Sequence, residues 1–172
     1  MTSLGRIFLT TSMAACLTIG FAHADKPGSP AAVSDDNGEY RDANGYPTYK
    51  VDKDGKVDFY TYIGYIRYTA DCMHCHGPDG LGSTYAPSLV NSLKNLNYTD
   101  VMTIVASGKK DVSASSDLVM PALGQDKNVM CFIDEIYVYL RARSDGAVGR
   151  GRPTDHMPKP KGFSEAEDSC LG

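Results

Sequence analysis

Apolar residues recur at helical intervals in three stretches of this chain and alternate with polar ones in a fourth. Tyr60 to Ala70 contains no proline and carries aromatic or aliphatic side chains at 62, 65, 66 and 69–70, which predicts a helix running into a cysteine pair. Gly64 interrupts it at a cost of up to about 1 kcal/mol relative to alanine, a placement that makes sense where another helix crosses closely. Val101, Met102, Ile104 and Val105 predict a short helix over Asp100 to Ser107, capped by Thr99 and stopped by Gly108. A longer helix is predicted from about Asn128 to Arg143, with Val129, Phe132, Ile133, Ile136, Tyr139 and Leu140 on one face. Arg141 and Arg143 suit its last turn, where the helix dipole favours cations. Tyr49-Lys50-Val51-Asp52 and Lys56-Val57-Asp58-Phe59 alternate on either side of Asp54-Gly55, a short β-hairpin signal. The acids Asp52, Asp54 and Asp58 do not make an EF-hand, because Gly55 is fourth rather than sixth in that run.

The remaining segments lack a period. Asp25 to Asn44 is rich in Asp, Gly, Pro, Ser and Ala and is expected to be a mobile or loosely packed extension. Gly77 to Pro87 reads as a loop, and Lys109 to Leu118 as polar and irregular. Beyond Asp145-Gly146 runs a tail without periodicity.

Residues 1–24 read as a secretory signal: Arg6 is the positive n-region, Ile7 to Phe21 is largely apolar, and Ala22-His23-Ala24 is an A-x-A cleavage site. The run is too short and too rich in Thr and Ser for a membrane span. Cys16 sits in a loose lipoprotein-box context, but apolar residues continue past it, which favours cleavage after Ala24. Cleavage leaves 148 of 172 residues, enough for one domain with a single core. Without Arg6 the formal net charge moves from −4 to −5, which argues against nucleic acid as a partner. Asp35 to Asp58 is acid-rich and Arg141 to Lys161 base-rich, both expected to be solvated surface.

Chemistry concentrates in Cys72-Met73-His74-Cys75-His76. C-x-x-C-H is the attachment sequence for covalent c-type haem. Two thiols at this spacing can add across the two vinyl groups of one porphyrin, and the following histidine becomes the proximal iron ligand. A redox dithiol would want a βαβ pattern, and a zinc site a second Cys/His pair; neither is present in the sequence. Two mature cysteines then remain, Cys131 and Cys170. In an exported, oxidising setting an even remainder suggests a disulfide, closing a loop of some 40 residues, with two free thiols as the alternative.

The sixth iron position decides between carrying electrons and binding small molecules. Met73 and His74 lie inside the attachment loop and cannot reach the opposite face. Met102 and Met130 fall on predicted helices, where core packing is their ordinary role. His156 and Met157 lie in the tail. Met120 precedes Pro121 in a non-helical stretch just before the last helix, so its thioether is the candidate distal ligand.

These features together resemble a class I cytochrome c. Gly64 and Tyr68, eight and four residues before Cys72, match the family's glycine and aromatic on the first helix, and Tyr139-Leu140 matches the crossing partner on the last. Pro87-Ser88-Leu89 is similar to the family's Pro-x-Leu. The resemblance implies that the Pro87 carbonyl accepts the proximal imidazole N–H and that Leu89 packs on the porphyrin; the carbonyl would fix the ring's tautomer. It implies an all-α fold of three to five helices around one covalent haem, with a short N-terminal hairpin and an extended C-terminal tail. Residues 59–145 would form the cytochrome domain, preceded by the extension at 25–58 and followed by the disulfide-tied tail at 146–172. Tyr68, Pro87 and Leu89 would then be cofactor-binding residues beside Cys72 and Cys75, with His76 and Met120 as axial ligands.

Val57 to Tyr62 leading into Gly64, the segment Cys75 to Gly80, and the Cys131/Cys170 pair are similar to one narrower group. It is the methanol-metabolism-related four-cysteine cytochromes that accompany PQQ-dependent, often lanthanide-using, alcohol dehydrogenases. That likeness implies a monomeric periplasmic electron carrier, without membrane insertion. Its donor would be such a dehydrogenase and its acceptor a downstream cytochrome c or terminal oxidase. A haem enzyme would want an open sixth position or a second haem. A gas-binding sensor usually carries its motif near the C-terminus of a four-helix bundle, whereas here it lies about 48 residues into the mature chain.

Overall fold

The computed structural model describes residues 32–113 and 116–172, so the predicted signal segment lies outside the described residues. Two helices cross at its centre: α1 (Phe59–Asp71) and α6 (Ile133–Ser144). Their contact is set by Gly64, where a Cβ would stand 1.9 Å from the Glu135 carbonyl oxygen and 2.8 Å from Tyr139 Cβ. Only hydrogen fits between the backbones there. Tyr68 and Tyr139 close the same crossing, ring centroids 5.6 Å apart and both almost fully buried. α1 begins at Asp58, whose buried carboxylate accepts from Thr61 N at 2.8 Å, Thr61 Oγ1 at 2.6 Å and Lys50 N at 2.7 Å. One side chain thus caps the helix and ties it to the preceding turn. That turn is the expected one at Asp54-Gly55, with Val51 bridged to Val57.

Part of the segment expected to be loose instead forms two strands, β1 (Ser34–Asp36) and β2 (Glu39–Arg41), which join β3 (Pro47–Thr48) just beyond it in a three-stranded antiparallel sheet. The missed signal is Asn37-Gly38, both at positive φ, the turn chemistry of a tight hairpin. Composition obscured it, because the strands are short and mostly polar. The sheet is needed because α6 is buried nearly all round, from Ile133 to Arg143, and α1 covers only part of it. Tyr46 of this region packs on Tyr98, and Tyr40 and Tyr49 are buried.

The long predicted helix is two: α5 (Lys127–Met130), capped by Asp126, then a break at Cys131-Phe132 before α6. Phe132 leaves helical geometry at φ −129° and is fully buried, with the Arg67 guanidinium over its ring. The helix α4 (Tyr98–Ser107) starts two residues earlier than expected. Asn97, not Thr99, caps it in a reciprocal box with Asp100. Lys109 to Leu118 is not irregular: β4 (Lys109–Ser113) and β5 (Ser116–Met120) pair antiparallel, Lys109 opposite Met120. Short helices α2 (Met73–His76) and α3 (Leu89–Ser92) complete the cytochrome region.

The tail departs most from expectation. Val148 is buried, Val57 exchanges backbone hydrogen bonds with Asp155 and Met157, and His156 stacks on Tyr62 at 4.0 Å. A final helix, α7 (Phe163–Leu171), sets buried Phe163 edge-on against Phe59 at 5.0 Å. Its Cys170 is bonded to Cys131, S–S 1.98 Å, across 39 residues. Cys170 is therefore one of several anchors, and residues 34–58 and 146–172 share the core of 59–145. Replacing Cys170 with Ser should cost about 2–4 kcal/mol. Hydrogen exchange should rise across α7 while the amides of Gly151 and Met157, bonded elsewhere, stay protected; loss of protection throughout 148–171 would show the disulfide to be the sole anchor. Among the described residues no helix is long and apolar enough to cross a membrane.

Candidate haem site

One turn of helix gathers the chemistry. Cys75 N and His76 N both bond to Cys72 O, at 3.2 and 3.0 Å, so Cys72, Cys75 and His76 fall on one face at the spacing of a helical turn. Gly77 then reverses the chain, and Gly82 N returns to His76 O at 2.7 Å. This folded loop carries Pro87 back beneath the histidine. His76 is buried, and its Nδ1 lies 3.0 Å from Pro87 O. A carbonyl can only accept, so Nδ1 holds the proton and Nε2 keeps its lone pair. Burial lowers the His76 pKa, which favours the neutral imidazole that metal ligation needs. Burial pushes the Cys72 thiol up to about 12, the opposite of the lowered pKa of a redox dithiol. Among the described residues no three His, Cys, Asp or Glu side chains converge as ligands of one ion, which leaves a zinc centre without a ligand set.

Above this turn opens an apolar slot. Its inner part is walled by Cys72, Leu93, Val101, Val129, Ile136 and Leu140; its outer part is bounded by Cys75, Tyr85, Pro87, Lys109, Val119 and Pro121. His76, Leu89, Leu96, Ile104 and Met120 wall both parts. A carbon-lined slot with paired thiols, a neutral histidine and a thioether on its walls fits a flat apolar macrocycle. Met120 ends β5, and the chain after it is fastened to α4 by Leu123 N to Val105 O at 2.9 Å and Gly124 N to Ala106 O at 3.1 Å. The other methionine and histidine candidates lie elsewhere. Met102 and Met130 line a separate groove, Met157 is engaged through its backbone with Val57, and His156 is stacked on Tyr62.

Tyr68 lines neither part of the slot. Its hydroxyl donates to Gly77 O and accepts from Gly80 N at 3.0 Å, so it steadies the loop that carries Pro87 rather than the cofactor face. Arg141 and Arg143 also depart from the sequence reading. They are buried, not solvated: Arg141 donates to Leu93 O and to Leu96 O at 3.0 Å, and Arg143 to Val148 O at 2.7 Å. Leu93 and Leu96 wall the slot, so Arg141 holds that wall in place. Asp79 is a further residue that sequence reasoning missed. It receives Arg150 Nε at 3.0 Å and Gly151 N at 2.8 Å, pinning the tail to the attachment loop. Those donors hold its carboxyl below the usual range despite burial. Its signal, a lone acid in a Gly-Pro-Asp-Gly run, was indistinguishable from turn chemistry.

No family model matches the chain. Curated relatives do. It is 50% identical over 136 residues to cytochrome c-553I of Paracoccus denitrificans, covering 79% of this chain and 60% of that one. To cytochrome c-555 of Methylococcus capsulatus it is 37% identical over 106 residues, 61% of this chain and 76% of that protein. The fructose dehydrogenase cytochrome subunit of Gluconobacter japonicus is 32% identical over 119 residues, though the chain spans only 22% of its length. Among solved structures, the c-type cytochrome XoxG from Methylobacterium extorquens AM1 superposes with a TM-score of 0.77 at 48% identity, covering 85% of this chain and 88% of that one. A haem-attachment turn, a slot shaped for a flat apolar group and these relatives agree: the chain belongs to the class I c-type cytochromes, haem proteins that carry electrons and are not themselves enzymes.

Proposed function

We propose that the protein is a periplasmic one-electron carrier with a single covalent haem, reduced by a PQQ-dependent alcohol dehydrogenase and oxidised by a downstream cytochrome c or terminal oxidase. Cys72 and Cys75 would hold the haem through thioethers, each S–H adding across one vinyl group. His76 and Met120 would ligate its iron, with Pro87 orienting the imidazole and Leu89 packing on the ring. The bound haem supplies a one-electron couple whose reduced form is favoured by thioether ligation and by burial. The residues around it keep both ligands in place, so little reorganises when the electron moves. The observation that carries this reading is the pairing of His76, hydrogen-bonded to Pro87, with Met120 on the walls of one apolar slot. The Cys131–Cys170 bond suits an oxidising compartment. That one relative is a cytochrome subunit of a sugar dehydrogenase is consistent with a dehydrogenase as donor.

Stopped-flow mixing of ferric protein with a reduced PQQ alcohol dehydrogenase tests the donor. Two molecules of cytochrome should be reduced per alcohol oxidised, because a two-electron quinol must release its electrons singly to one haem. The complex should be transient and of modest area. Equal rates with an unrelated cytochrome c would remove the specific partnership and leave only the electron carrier.

A further inference from the structure

On the far side of Ile133 from the haem slot lies a half-open groove of about 370 Å³, bounded by β2, α1, α4, α5, α6 and α7. Its apolar walls are Met102, Met130 and the edge-to-face pair Tyr60–Phe163, centroids 5.2 Å apart. Four acids border it. Three are engaged: Glu39 with Arg41, Glu167 with Arg67 at 3.6 Å, and Asp134 with the Tyr98 hydroxyl at 2.5 Å. Glu135 is not. It is 8% exposed, it lines the groove, its carboxyl accepts its own backbone N–H, and among the described residues no other side chain hydrogen-bonds to or ion-pairs with it. Burial, reinforced by the charges of Asp134, Glu39 and Glu167, pushes it up to about 7.

A buried carboxylate without a counter-ion, in a groove already rich in negative charge, lacks one positive group. A metal ion does not match, because among the described residues the acids do not converge as a ligand set. A single ammonium on an aliphatic stem does match. The stem would lie against methionine and aromatic walls, and the head would meet Glu135 within reach of two aromatic rings. We propose that this groove binds a primary alkylammonium group, with Glu135 as its counter-ion. The group belongs either to a free alkylamine or to a lysine side chain of another protein.

The haem-loaded ferrous protein, titrated with n-pentylammonium chloride and followed by amide NMR, tests this. Saturable shifts are expected at residues 134–135 and 163–167, with affinity at least tenfold above that of n-pentanol at matched ionic strength. Glu135→Gln should lose at least tenfold in affinity, whereas Glu165→Gln, outside the groove, should not. Because a proton on Glu135 competes with the ammonium, wild-type affinity should rise between pH 6 and pH 8, through the value near 7. The groups facing it are Glu39, Asp134 and Glu167, with Arg41 and Arg67 behind them and Tyr60 on α1; a flat profile in Glu135→Gln assigns the effect to Glu135. Nα-acetyl-lysine N-methylamide separates the sources: its binding means the groove takes a protein lysine, and its exclusion alongside pentylammonium binding means a free amine. Equal affinity for pentanol, absence of saturable shifts, or unchanged binding by Glu135→Gln overturns the proposal. Should that variant not fold, the pentanol comparison and the wild-type pH profile decide.

Discussion

Met120→Ala should abolish the weak methionine–iron charge-transfer band of the ferric protein, let the ferrous form bind carbon monoxide, and lower the reduction potential. The first two follow from vacating the sixth position; the third follows because a thioether favours ferrous iron over ferric. Truncating a slot-lining methionine should in addition cost about 2–5 kcal/mol of stability, so spectra must be compared well below the melting temperature. Met102→Ala and Met130→Ala are the controls. Both residues line the acidic groove, and neither walls the slot. An unchanged spectrum in Met120→Ala, with the band lost in either control, would transfer the ligand role.

Gly64→Ala should destabilise the fold by at least about 2 kcal/mol, against the gain of up to about 1 kcal/mol that alanine gives an exposed helix. The new methyl would meet the Glu135 carbonyl carbon at 2.6 Å and its oxygen at 1.9 Å. Those atoms are helical backbone and cannot rotate aside, so α1 and α6 must separate. For a chain of this size the melting temperature should fall on the order of 5–10 °C. Gly149→Ala, where a Cβ has no neighbour within 4 Å, should be neutral. A Gly64→Ala protein as stable as wild type would mean the crossing is looser than described. Since α1 delivers Cys72 and α6 supplies Ile136 and Leu140 to the slot, the same variant should also perturb the haem spectrum.

Some of this was legible in the sequence and some was not, for physical reasons. The helices α1 and α4 carry strong 3.6-residue periods, and the C-x-x-C-H turn is a local chemical signature, so both could be read from consecutive residues. The structure brings His76, Pro87, Leu89 and Met120 around one slot and places Tyr68 one layer behind it. What escaped depends on distant residues. The β1–β2–β3 sheet is short and polar because its role is to cover α6, whose burial on every side no amphipathic pattern announces. Arg141 reads as an ordinary helix-terminal cation until Leu93 O and Leu96 O, over 40 positions earlier, are placed beside it. The tail lacks a period because residues 148–157 run as a bent, individually anchored chain rather than as a regular element.

That anchoring bears on how the molecule matures. Asn37 hydrogen-bonds Lys161 across 124 positions, and Val57 pairs with Asp155 and Met157 across about 100. Contacts so remote in sequence require a long loop to close and form after local helices do. The turn holding Cys72, Cys75 and His76 depends on near neighbours alone, so it can take shape while the two ends of the chain are still apart. A cofactor attached at that turn would then be installed on an open chain, before the meeting of the ends draws residues 148–161 across Asp79 and Val57.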